Sequence, residues 1–146
     1  MAFLKEKTIP VGEQELTIRQ LSGLDRFDFM DFCSDQTLPE RLETPEEDAS
    51  REEKEAFLVK ASKVTKQWDR LNFIMSARLV AFGSHFDIED IEERHQHIMA
   101  SMSVEQIKHV HDEVAKLSGM ELPEPEEDAE ASNPEPDDKE PVDPKA

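Results

Sequence analysis

The chain has 146 residues, of which 36% are apolar, a low share for a fully folded domain, so part of it is expected to stay unfolded. With 35 acidic residues against 17 basic ones the formal charge is −18, which argues against direct binding to a nucleic-acid backbone, where clustered Lys and Arg are needed. The single cysteine, Cys33, excludes an internal disulfide. No run approaches the roughly 20 apolar residues that span a bilayer, so the expectation is a soluble cytoplasmic protein with no membrane partner.

The first segment alternates. Thr8-Ile9-Pro10-Val11 leads into Gly12-Glu13, after which Leu16 and Ile18 alternate with Glu15, Thr17 and Arg19. This predicts a β-hairpin over residues 3–20, turning at Gly12. Pro10 has no N–H for a ladder, so its strand belongs at an edge. Two strands are marginal alone, so the hairpin should pack on a helix or join another subunit's sheet.

From Ser22 the period changes. Ser22 is a candidate N-cap for a helix near 22–35, with Leu24, Phe27 and Met30, joined by Phe32 and Cys33, as its apolar face. That face is read as core packing rather than as a ligand pocket. Residues 36–43 read as a linker.

The longest predicted helix covers 45–82. Thr44 would cap it, Pro45 would take its first position and Glu47 would complete a capping box. Phe57, Ala61, Val64, Trp68, Leu71 and Met75 step by four and three, the spacing of one apolar seam. Such a seam needs neighbours from this chain or another, so Phe57, Val64, Trp68, Leu71 and Met75 are the candidate residues for client or self contacts. Residues 46–55 are almost all charged and should project or fray. Residues 73–82 are nearly continuously apolar and should form the tightest core, ending at Gly83.

Two more helices follow, near 88–101 and 104–118. Ile88, Ile91, Ile98 and Met102 repeat at helical spacing after Asp87 and Asp90. Ser103 and Gln106 make a second capping box ahead of the stripe Val104, Ile107, Val110, Val114, Leu117, and Gly119 is the natural left-handed C-cap. The fold class is therefore mainly α, a small helical bundle over residues 1–120 with an N-terminal β-hairpin. Residues 121–146 hold eleven acidic residues against Lys139 and Lys145, and six of the nine prolines. Neither a helix nor a core fits that composition, so an extended, disordered, acidic tail is expected.

The residues carry no catalytic constellation. His95 with His97 and His109 with His111 sit two apart, which on a helix turns them about 200° away from each other, unlike a zinc-binding i, i+4 pair. All four glycines have turn or cap explanations, and no phosphate-cradling loop exists. Neither a metal, nor a cofactor, nor an enzymatic activity is expected.

The entry Leu16-Thr17-Ile18-Arg19-Gln20-Leu21-Ser22-Gly23-Leu24-Asp25-Arg26, the opening Phe3-Leu4-Lys5 and the closing Leu117-Ser118-Gly119-Met120 before an acidic Pro-rich tail resemble the minor tail protein G type of tail assembly chaperone from lambda-like long-tailed bacteriophages. The resemblance runs through residues 1–120. It implies a helper that acts in the host cytoplasm and is absent from the mature virion. It further implies binding of the tape measure protein, and a longer form, made by a minus-one ribosomal frameshift, that recruits the tail tube protein. Asp143-Pro144-Lys145 can be encoded as GAC CCA AAR, which contains a slip heptamer, so Pro144 and Lys145 mark the expected frameshift position. Two other readings stand beside this one: an acidic DNA-mimic inhibitor, and a structural minor tail component.

Overall fold

A computed structural model describes residues 3–120. In chain order these form β1 (Glu6–Val11), β2 (Gln14–Arg19), α1 (Gly23–Ser34), α2 (Arg51–Gly83), α3 (Ile91–Ser101) and α4 (Val104–Leu117). The molecule is mainly helical with an N-terminal antiparallel hairpin.

The hairpin registers Ile9 with Leu16 and Val11 with Gln14, leaving Gly12 and Glu13 as a two-residue turn. Gly12 takes φ +64°, the left-handed conformation that a primed hairpin turn demands at its first central position. The period of two sends Ile9 and Ile18 inward, where both are buried, while Thr8 and Thr17 face outward and share a hydroxyl hydrogen bond of 3.0 Å. The hairpin does pack on a helix. Ile9 and Ile18 belong to the same core as Val110 and Val114 of α4, and Lys7 Nζ reaches Glu113 Oε1 at 2.9 Å.

α2 starts later than its sequence predicts. Thr44 and Glu47 form no cap; the chain uses the second box of the same pattern, with Ser50 Oγ accepting from the Glu53 N–H and Glu53 Oε1 accepting from the Ser50 N–H. Residues 46–49 instead close a turn through Ala49 N–H to Glu46 C=O at 3.0 Å. Winding the helix back to Pro45 would set Asp48 against Glu52 at i, i+4 and add no large apolar anchor. The turn leaves Pro45 and Ala49 half-buried.

Residues 77–83 at the far end of α2 are buried on every side, as their apolar run implies. They meet α4 so closely that a Cβ on Gly83 would lie 2.5 Å from Val114 Cγ1 and 2.8 Å from Cγ2. The carbonyls that α2 leaves unpaired at its C-terminus are taken up by Ser84 Oγ, which donates to Val80, and by the Arg94 guanidinium, which donates to Ala81.

α3 begins at Ile91 under an Asp90 cap, so Ile88 lies in the preceding loop, where its carbonyl accepts from Arg94. α4 carries the Ser103–Gln106 capping box and ends in a Schellman motif: Gly119 at φ +69°, Met120 N–H to Ala115 C=O and Gly119 N–H to Lys116 C=O. Ile107, Val110 and Val114 are buried, whereas Val104 at the head of the stripe is exposed.

Candidate interaction surface

The 3.6-residue turn brings Phe57, Ala61, Val64, Trp68, Leu71 and Met75 onto one face of α2. Their burial is graded. Leu71 is buried, Phe57, Ala61, Val64 and Met75 are half-buried, and Trp68 is 39% exposed. The cover comes from this chain. Asp35, Gln36 and Thr37 line one shallow cleft with Gln67, Leu71 and Ile74, and Lys54 Nζ donates to the Glu47 carbonyl. Residues 36–50 therefore run back beside α2 from Leu71 to Arg51, about 30 Å at 1.5 Å per residue. Pro39, Leu42 and Pro45 along that path are half-buried.

Of the α1 face expected in the core, Phe32 and Cys33 do turn inward, but Leu24, Phe27 and Met30 are on the outside. Leu24, Phe27 and Met30 are 72%, 66% and 50% exposed, and no residue of α1 is fully buried. The opposite side does the packing. Phe29 joins the core, Phe32 lies under the Arg78 guanidinium with Cζ 4.3 Å from its ring centroid, and Cys33 is half-buried, its thiol pushed up by burial. Apolar side chains line both sides of this short helix, and Phe32 decides which side turns inward because it covers a buried cation.

That cation is Arg78, set in the apolar run of α2. Its Nη2 donates to Glu92 Oε2 at 2.7 Å, and its Nη1 lies 3.1 Å from His95 Nδ1. The other ring nitrogen, Nε2, lies 2.9 Å from the Ile74 carbonyl, which can only accept. Nε2 therefore carries the proton and Nδ1 accepts from Arg78. Burial, followed by the Arg78 charge, holds the His95 pKa below its ordinary value, and the Arg78 hydrogen bond holds Glu92 below the usual carboxylate range. The sequence offered one signal for this cluster: an Arg inside an apolar run must find an anion or an acceptor, and the next helix presents Glu92 and His95 three residues apart.

Beside the cluster, an open cleft of about 560 Å³ between α1, α2 and α3 is walled by Phe32, Arg70, Phe73, Ile74 and Met99. Its size suits a small ligand. Its titratable groups Glu92 and His95, however, are already engaged by Arg78, so it offers no free acid or base. Among the described residues no group of three His, Cys, Asp or Glu is arranged to hold a metal ion. Nor is any helix there long and apolar enough to cross a membrane. The acidic tail and the expected slip position, Pro144 and Lys145, lie outside the described residues.

The described residues form a small helical scaffold that keeps apolar helix ridges at its surface. The family model described as Bacteriophage lambda tail assembly chaperone, TAC, protein G matches residues 2–138. The chain belongs to that family, whose role is assembly of the phage tail. No curated protein and no solved structure matches the chain.

Proposed function

We propose that this tail assembly chaperone binds the tape measure protein, keeps it soluble before the tail polymerises around it, and in a frameshift-extended form recruits tail tube subunits. The observation that carries the reading is the set of apolar side chains a soluble fold would ordinarily bury: Leu24, Phe27 and Met30 on α1, and Leu58, Val59 and Trp68 on α2, all exposed. Helix-in-groove recognition uses anchors at such spacings, and a long helical client offers many of them. Within the seam, Leu71 serves the fold, Phe57, Val64 and Met75 are half-buried and offer only part of their surface, and Trp68 is the member open to client or self contacts. The charge of −18 keeps crowded copies apart while they coat one client. The chaperone acts in the host cytoplasm and leaves before the virion matures.

Co-expression with the tape measure protein tests this. The expected result is that the client moves from the insoluble to the soluble fraction and co-purifies with the chaperone. A client that stays insoluble beside a well-folded excess of this chain would overturn the reading.

A further inference from the structure

We propose that the outer face of α1 docks a foreign amphipathic helix whose apolar anchors are flanked along one edge by Lys or Arg. The proposal takes the helical character of the partner from the chaperone reading; the surface and the charge come from the fold.

Leu24, Phe27 and Met30 follow one another at i, i+3 and i+6, a ridge nearly two turns long, and all three are exposed. Asp28, Asp31 and Asp35 run beside it at i, i+3 and i+7 and form a carboxylate edge. Among the described residues no Lys, Arg or His lies in ion-pair contact with any of the three. Their position is also electrostatically unfavourable. Asp31 is in the last turn of α1 and Asp35 is its C-cap, where the helix dipole is negative and a cation belongs, yet the last turn holds no basic residue. An apolar ridge and a row of unpaired carboxylates, two of them at the wrong end of a helix, are two local costs, and one partner with apolar anchors and a cationic edge relieves both.

Two other occupants fit less well. Residues 121–146 hold eleven acidic residues against two lysines, so that segment would be repelled by the aspartate edge. A second copy could offer the stripe Val59, Lys63, Lys66 and Arg70 of α2, but Val59 is its one apolar residue and cannot cover a ridge of three.

The test uses synthetic helical peptides with Leu at i, i+4 and i+7, flanked by Lys in one and by Glu in the other. They are titrated calorimetrically into the full chain at low salt. The Lys peptide should bind at least about tenfold tighter than the Glu peptide. Phe27→Asp with Met30→Asp should weaken the Lys peptide by about tenfold or more, and Leu24→Lys should act likewise, both variants keeping the wild-type circular dichroism because the sites are exposed. Asp28→Asn with Asp31→Asn should leave binding but reduce the Lys-over-Glu preference, since Asp35 remains. Equal affinity for the two peptides, or ridge variants that bind like wild type, would overturn the proposal. So would a wild-type dimer that Phe27→Asp turns into a monomer, since the ridge then belongs to a second copy. Co-expression separates the two readings. Ridge variants that solubilise the tape measure protein as wild type does leave the chaperone reading standing and remove this docking face. A wild-type chain that fails to solubilise it, with the peptides behaving as expected, does the reverse.

Discussion

His95 is buried as a neutral ring, with its Nε2–H given to the Ile74 carbonyl and its Nδ1 facing the Arg78 cation. Protonation would remove the acceptor and set two cations against each other under Phe32. Because the folded pKa is depressed, the unfolded chain takes up this proton first as pH falls, so the stability is complete above about pH 6.5 and declines below it. The carboxylates held low, Glu92 and Glu113 among them, lose their contributions further down, as pH falls through their own folded values. Urea midpoints at about pH 7.5 and 5.5 should therefore fall for wild type and change less for His95→Phe; equal slopes would show that the ring does not titrate in this window. Gly83 poses a contest of magnitudes. Alanine gains up to about 1 kcal/mol of helix propensity over glycine, but its Cβ would meet both Val114 methyls, and overpacking costs about 1–3 kcal/mol. Gly83→Ala should destabilise wild type by about 1–2 kcal/mol and become neutral or stabilising beside Val114→Ala; additive effects in the double mutant would refute the contact.

At the scale of elements, the start of α2 is the sharpest test, since the sequence offers two capping-box patterns six residues apart and only the one at Ser50 forms. Ser50→Ala should unwind the first turn at a local cost of about 1 kcal/mol, visible as faster amide exchange over residues 51–55, while Thr44→Ala leaves exchange unchanged. Matching responses from the two variants would put the helix start back at Pro45. Sequence alone could not choose between the boxes, because both satisfy the same local chemistry and the choice falls to the turn at residues 46–49. α4 was legible for the opposite reason: one apolar stripe, one capping box and one glycine agree on its ends and its inner face. α1 forms where expected, but its expected face joined the inward Phe32 and Cys33 to the outward Leu24, Phe27 and Met30. Leu24, Phe27 and Met30 lie opposite Phe29, Phe32 and Cys33, and periodicity gives no preference between two apolar sides. The deciding contact, Phe32 under Arg78, spans 46 positions of sequence. The seam of α2 was placed correctly on one face, but its intrachain cover was hidden because residues 36–50 have no periodic pattern of their own.

Across the whole molecule, 35 acidic residues face 17 basic ones, so self-repulsion opposes the compact state. Among the described residues the ion pairs that offset it are mostly peripheral, such as Arg51–Glu55 and Lys108–Asp112, and exposed pairs of that kind contribute about 0–1 kcal/mol each. The Arg78–Glu92 pair is better sheltered on its arginine side, yet Glu92 itself is largely exposed. Repulsion should therefore outweigh attraction in the response to screening. Raising NaCl from about 10 mM, where the Debye length is about 30 Å, to about 0.5 M should raise the melting temperature by a few degrees. A chain ending at residue 120 lacks eleven of the carboxylates and two lysines, which together carry half of the net charge, so its melting temperature should rise less over the same salt range. A melting temperature that falls with salt would mean that surface ion pairs hold the fold together and that the acidic excess is tolerated rather than opposed. A truncated chain with the full salt response would locate the repulsion in the folded body, where the aspartates of α1 are the first carboxylates to neutralise.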